Sequence, residues 1–184
     1  MSPAGLLDLL LEAQALDRVP RTGYLLRGVA RPESVSEHSF HVALLVWTLA
    51  AGIDEVDAAR AVELALLHDL AEVRLGDLPM TAARYLPEGA KRSAEAAAAA
   101  DLLAPLGDRA LALVQELEEG TTPEARLVKA CDKLQLMVKV AAYEAQGEGG
   151  LAEFWENEGN FPDGGFPEVA ALFDELRRRA RRRG

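Results

Sequence analysis

The chain has 184 residues, 49% of them hydrophobic, which suits one closed core, and no second domain is expected. Thirty Asp and Glu against twenty Lys and Arg leave a formal charge of −10, which argues against a nucleic-acid polymer as partner, because phosphate backbones are bound through clustered cations. No apolar run approaches a bilayer span, no signal-peptide pattern opens the chain, and Cys131 is the single cysteine, so the expectation is a cytoplasmic protein with no membrane partner and no internal disulfide.

Apolar residues recur at helical spacing nearly everywhere and alternate nowhere for long, so the predicted fold is all-α, a single domain over residues 1–184. A first helix is expected over about residues 3–16, closed by Asp17, Val19 and Pro20. After a loop with Gly23 and Gly28, Ser34 or Ser36 can cap a long apolar helix over about 35–51. The next helix is predicted over 55–73, stopping before Gly76. Alanine-rich helices follow at about 88–104 and 109–119, and Pro123 opens one that runs to about 146. Glycines 147, 149 and 150 break the chain, and a Gly-, Pro- and Phe-rich loop leads to a last amphipathic helix over about 166–182. Phe154, Trp155 and Phe161 suit either the core or a subunit interface. The Arg-rich tail from Arg177 to Arg183 reads as a cationic helix end that complements the helix dipole, with a tether to anionic surfaces as the alternative.

Four polar residues interrupt these apolar helices. His38 lies in VSEHSFHVALLVW, the pair His68-Asp69 ends the run LALL, and Asp132 sits in RLVKACDKLQLMVKVA. Each alone reads equally well as a satisfied core polar group. Together, two imidazoles and two carboxylates form a borderline-hard set for one divalent transition ion with coordination positions left open, and sharing that ion removes a burial cost of roughly several kcal/mol per charge. Cys131, beside Asp132, reads as a small buried apolar residue, and His41 as a partly buried helix histidine.

The segment HDLAEVRLGDLP adds Glu72 and Asp77. On a continuous helix Glu72 shares a face with His68 and points at the ion's open side, where a carboxylate can take a proton from water or give one to a leaving oxygen. The alternatives are a Glu72–Arg74 pair and an Asp77 cap on a helix beginning near Leu78.

These residues resemble the HD-domain metal-dependent phosphohydrolases, named for the doublet seen here as His68-Asp69. RVPRTGYLLRGVARPESVSEHS, ALLHDLAEVRLGDLP and LVKACDKLQLMVKVAAYE are similar, in order and spacing, to three motif blocks of the 5'-deoxynucleotidase and HD-domain-containing-protein-2 subgroup. The resemblance implies a helical bundle with a metal site in its core, bound by His38, His68, Asp69 and Asp132. It implies one divalent ion, Mn2+ or Co2+ first and Mg2+, Zn2+, Ni2+ or Fe2+ as alternatives. Glu72 and Asp77 would then act on the attacking water and the departing sugar oxygen of a (deoxy)ribonucleoside monophosphate. Arg21 and Arg27 are expected at the phosphate and Thr81 near the nucleotide, in an enzyme that forms a homodimer. Tyr24 stands where the family commonly has a tryptophan against the sugar, which bears on deoxy-versus-ribo selection. An HD-type triphosphohydrolase or phosphodiesterase and a non-enzymatic metal- or nucleotide-binding module are the alternative functions. The shortage of Lys and Arg near the motifs argues against a triphosphate.

Overall fold

The computed structural model describes residues 2–182, and every regular element among them is helical, as predicted. A bridge between Pro20 and Ser34 is the isolated extended pairing. The helices are α1 (Pro3–Ala13), α2 (Thr22–Leu25), α3 (Val35–Ala50), α4 (Ala58–Leu67), α5 (Glu72–Leu75), α6 (Met80–Ala83), α7 (Ala90–Leu103), α8 (Asp108–Glu119), α9 (Pro123–Ala145), α10 (Ala152–Glu156) and α11 (Pro167–Ala180). The four-residue helices α2, α5 and α6 and the five-residue α10 lie in segments expected to be loop or helix end.

Local chemistry explains the boundaries. Of the two serines that could cap α3, Ser34 does so in a capping box with Glu37, while the Ser36 hydroxyl donates to Asp17 at 2.7 Å. Thr122 caps α9, with Pro123 in the first turn where its missing N–H costs nothing. The helix predicted over 55–73 is a correction: it starts after Asp57, which accepts from the backbone N–H groups of Ala59 and Arg60, and it stops at Leu67. His68 Nδ1 lies 2.7 Å from the Ala65 carbonyl, the acceptor that Asp69 N–H would use if the helix continued. The chain instead tightens, with Leu70 N–H donating to Leu67 and Glu72 N–H to Asp69. The first helix likewise tightens early, into a 3-10 segment over Gln14–Arg18.

The core forms where α3, α4 and α9 pack on one another, with α11 laid against α9. Val42, Val46, Leu64, Leu127, Leu134 and Met137 are essentially inaccessible there, each worth about 1.5–3 kcal/mol of burial. A smaller cluster of Ala71, Ala98, Ala99, Leu103 and Ala110 joins α7 and α8 to the His68 turn. Cys131 is buried in the main core, as expected, and the same surroundings push its thiol up to about 12, helped by the charge of Asp132. Phe154, Trp155 and Phe161 pack against that core. Arg177 stacks on Phe161 and pairs with Glu158, and Arg178 and Arg179 both pair with Glu175; Arg183 lies outside the described residues.

Candidate active site

His38 reaches the centre of the bundle from α3, Asp132 from α9, and His68-Asp69 from the turn that ends α4. His38 is wholly buried and its Nε2 lies 3.4 Å from His68 Nε2, 3.4 Å from Asp69 Oδ2 and 3.2 Å from Asp132 Oδ1. His68 Nε2 is 3.3 Å from Asp69 Oδ2. Such separations are those of ligands sharing one ion at bond lengths of about 2.0–2.2 Å.

The other ring nitrogens fix which lone pairs face inward. His68 Nδ1 meets the Ala65 carbonyl and His38 Nδ1 meets Gln135 Oε1 at 2.6 Å, and both partners can only accept. Each Nδ1 therefore carries a proton, and both Nε2 atoms turn toward carboxylate oxygens, where either a proton on the imidazole or a bound cation satisfies the cluster. Asp132 Oδ1 is buried with no well-directed hydrogen bond, a second sign of a missing positive partner. His38, His68 and Asp69 thus fit a divalent ion by mutual distance and donor type, and Asp132 adds a buried carboxylate oxygen 3.2 Å from His38 Nε2.

Charge in the cluster is strongly coupled. Burial alone would lower the His68 pKa, but the charge and hydrogen bond of Asp69, with Asp132 behind it, raise it to about 9. Burial opposes ionisation of Asp69 and Asp132, yet His68 and Arg21 hold the first below the usual carboxylate range, and Lys133, His38 and Arg21 the second. Arg21 is buried against three carboxylates, at 3.3 Å from Asp69, 3.4 Å from Asp77 and 3.9 Å from Asp132.

Glu72 does not pair with Arg74, whose guanidinium turns away to Glu12 and Asp101. It is buried with Oε2 unpartnered, and burial, then the charges of Asp69 and Asp77, raise its pKa to about 9. Asp77 does not cap α6, whose N-cap is Pro79. Gly76, at φ +71 and ψ 167, a conformation essentially reserved for glycine, turns the chain so that Asp77 reaches back to accept from Thr22 N–H at 2.5 Å and from Arg21.

Two cavities meet here. One of about 360 Å³ is lined by Arg21, Tyr24, Arg27, Thr81, Leu136 and Phe154 and ends at Asp69, Glu72, Asp77 and Asp132. Tyr24 is only 2% exposed; its hydroxyl donates to the Leu136 carbonyl at 3.0 Å and its ring lies 5.4 Å from that of Phe154, so it shapes the floor of the cavity. Arg27 lines the cavity with its guanidinium paired to Glu153 of α10. The second cavity, about 380 Å³, shares Asp69, Glu72, Lys91 and Asp132 with the first and adds Arg92 and Lys129. His41, half-buried beside Phe40, is not among the residues lining either cavity.

A family model described as HD domain matches residues 13–169. The chain belongs to the HD domain family. It is 33% identical over 180 residues to a Mus musculus protein named 5'-deoxynucleotidase HDDC2, covering 95% of this chain and 88% of that one. It is 36% identical over 110 residues to the dATP triphosphohydrolase of cyanophage S-2L, 58% of this chain and 56% of that protein. Among solved structures, a conserved hypothetical protein of Pyrococcus furiosus is similar at a TM-score of 0.81 and 36% identity, covering 94% of this chain and 99% of that one.

In this HD domain the residues proposed from sequence as metal ligands, catalytic groups or substrate contacts line the two cavities or the ion-sized centre between them. Sequence reasoning passed over Lys91 and Arg92, which α7 brings to the cavity wall, and Gln135 and Glu33, and it gave Phe154 a core or interface role but not one in the cavity. A polar pair spaced like His38 and Gln135, 97 residues apart, carries no local signal.

Proposed function

We propose that this HD domain is a metal-dependent phosphomonoesterase that removes the 5'-phosphate of (deoxy)ribonucleoside monophosphates. The convergence of two imidazole lone pairs and two carboxylates beside a buried Arg21, at the head of an aromatic-walled cavity, carries the reading. The name and the likeness of the mouse relative support it. His38, His68, Asp69 and Asp132 would hold one divalent ion, which supplies Lewis acidity at the phosphate and makes water a better nucleophile near neutral pH. The resemblance of the motif blocks puts Mn2+ or Co2+ first, with Mg2+, Zn2+, Ni2+ or Fe2+ as alternatives, and mixed nitrogen and oxygen donors accept divalent ions of this kind.

Arg21 brings a permanent planar cation to the equatorial phosphate oxygens, exchanging carboxylate partners for phosphate. Asp77 acts through it, pinning the Arg21–Thr22 segment by two hydrogen bonds. Glu72 would serve in one of two roles: protonated, it gives its proton to the departing sugar oxygen; ionised, it takes one from the attacking water. Phe154 and Leu136, floored by Tyr24, form the wall for sugar and base, with Thr81 at the rim and Arg27 reaching the phosphate if it leaves Glu153. Residues 1–184 are read as one domain, located in the cytoplasm, without nucleic-acid polymer or membrane partners; among the described residues no helix is long and apolar enough to cross a bilayer. A homodimer belongs to the same reading, and the exposed stripe of Phe40, Leu44 and Trp47 on α3 offers it a surface.

The test is phosphate release from a panel of deoxy- and ribonucleoside monophosphates with Mn2+, Co2+ or Mg2+. Metal-dependent release by wild type, lost in Asp69→Ala, is expected; silence across the panel with metal bound overturns the reading. The second cavity, with Lys91, Arg92 and Lys129 beside the centre, favours one further reading, hydrolysis of a triphosphate, because those side chains offer the extra cations a phosphate chain needs. Release of tripolyphosphate from dATP would select it.

A further inference from the structure

We propose that Glu33 and Gln135 are positioning residues of the metal centre, which hold His38 in the one tautomer that can bind an ion. The inference rests on the metal-centre reading but not on the identity of the substrate. Glu33 is fully buried at its side chain, and both its carboxylate oxygens accept from Gln135 Nε2, at 3.2 Å and 3.0 Å. A carboxylate only accepts, so the amide of Gln135 cannot turn over, and its Oε1 must face His38 Nδ1 at 2.6 Å. The neutral imidazole thereby carries its proton on Nδ1 and turns the Nε2 lone pair toward His68, Asp69 and Asp132.

Metal-binding histidines usually give the second N–H straight to a carboxylate or backbone carbonyl. His68 follows that habit with Ala65, whereas His38 reaches its carboxylate through an intervening amide. Glu33 is held in turn by Lys139 at 3.2 Å. Its backbone N–H donates to the Tyr143 hydroxyl at 2.7 Å, and its carbonyl accepts from Arg21 N–H at 2.9 Å. One buried residue therefore orients a metal ligand through its side chain and anchors the phosphate-side arginine through its backbone. Gln135, Lys139 and Tyr143 are four residues apart on α9 and so share the face that meets the segment before α3.

The test uses Gln135→Met, which keeps the length of the side chain but removes the acceptor, and the paired exchange Gln135→Glu with Glu33→Gln, which restores an acceptor for Nδ1. Two readouts do not depend on turnover: Zn2+ and Mn2+ affinity of the metal-stripped full chain by calorimetry, and the 15N imidazole spectrum of the Zn2+-loaded protein. Gln135→Met is expected to weaken binding by about 10–100-fold and to lose the protected His38 Nδ1–H signal, whereas the paired exchange recovers the signal and most of the affinity. Unchanged affinity and an unchanged signal in Gln135→Met overturn the proposal. If that variant does not fold, the paired exchange decides alone: loss of the Nδ1–H signal there overturns it equally. A wild type that shows the signal and binds metal but hydrolyses no nucleotide would defeat the proposed function and leave this inference standing.

Discussion

One wall of the site, bearing His38 and Asp132, stands on α3 and α9, helices of 16 and 23 residues whose facing sides are buried in the main core. The opposite wall, bearing His68, Asp69, Glu72 and Asp77, is built of turns and four-residue helices around Gly76. On the helical wall Gln135 and Glu33 satisfy the outward-facing nitrogen of His38 through side chains, on the irregular wall the backbone carbonyl of Ala65 does so for His68, and each wall leaves one buried carboxylate oxygen, Asp132 Oδ1 and Glu72 Oε2, without a hydrogen bond. The difference teaches a division of labour. Rigid helices hold two of the proposed ligands, His38 and Asp132, and the irregular segment, freed from the α-helical ladder, adds His68 and Asp69 and aims Glu72 and Asp77 where a continuous helix would not have sent them.

The sharpest way to break this comparison is Glu72→Gln, which preserves shape but removes the ionisable proton. Turnover is expected to fall by about 10²–10⁴-fold with metal affinity unchanged, measured by steady-state kinetics and calorimetry. Loss of metal instead would make Glu72 a ligand and erase the distinction between the walls.

Chelation tests whether the centre ties the two walls together. At free metal about 100 times its dissociation constant, binding adds about 2.7 kcal/mol, so stripping the metal should lower Tm by roughly 5–10 °C in a domain of this size. A melting curve unaltered after verified metal loss would mean the walls are held by packing alone.

Acidity separates the stripped and loaded forms further. In the metal-free protein His68 is raised from its ordinary value of 6.5 to about 9, so its contribution to stability is full below pH 6.5 and lost as pH rises to about 9. Glu72, raised to about 9 from an ordinary 4.5, has the same sign, because the folded state holds a proton the unfolded chain has released. Stability of the stripped form is therefore expected to fall between pH 6.5 and 9, and metal binding in that range should release protons. Thermal melts and calorimetry in buffers of different ionisation enthalpy measure both; a flat profile would contradict the coupling of His68 to Asp69.

The smallest effect is expected from Arg27→Met. The Arg27–Glu153 pair is partly exposed and worth less than about 1 kcal/mol, so Tm should move by only a few degrees. A collapse in kcat/KM, by contrast, would place Arg27 at the phosphate during the reaction.

Much of the helical wall was legible from local pattern. The Ser34 capping box, the Thr122-Pro123 start and the apolar periodicity of α3 and α9 are interactions among residues within four of each other, so composition and spacing carry them. The irregular wall was misread as one helix, because HDLAEVRL has good helix formers and the competing His68–Ala65 contact depends on which rotamer the imidazole takes once the bundle closes.

The chain by itself determined the fold class, the helix caps and the chemical types gathered for an ion, since these follow from side-chain chemistry and near-neighbour geometry. Only the tertiary structure decided that Arg21 would meet three carboxylates, that Lys91 and Arg92 would line the second cavity, and that Gln135 would face His38 with Glu33 behind it. Those contacts join residues up to about a hundred positions apart, and the packing of whole helices, not any short pattern, brings them within hydrogen-bond reach.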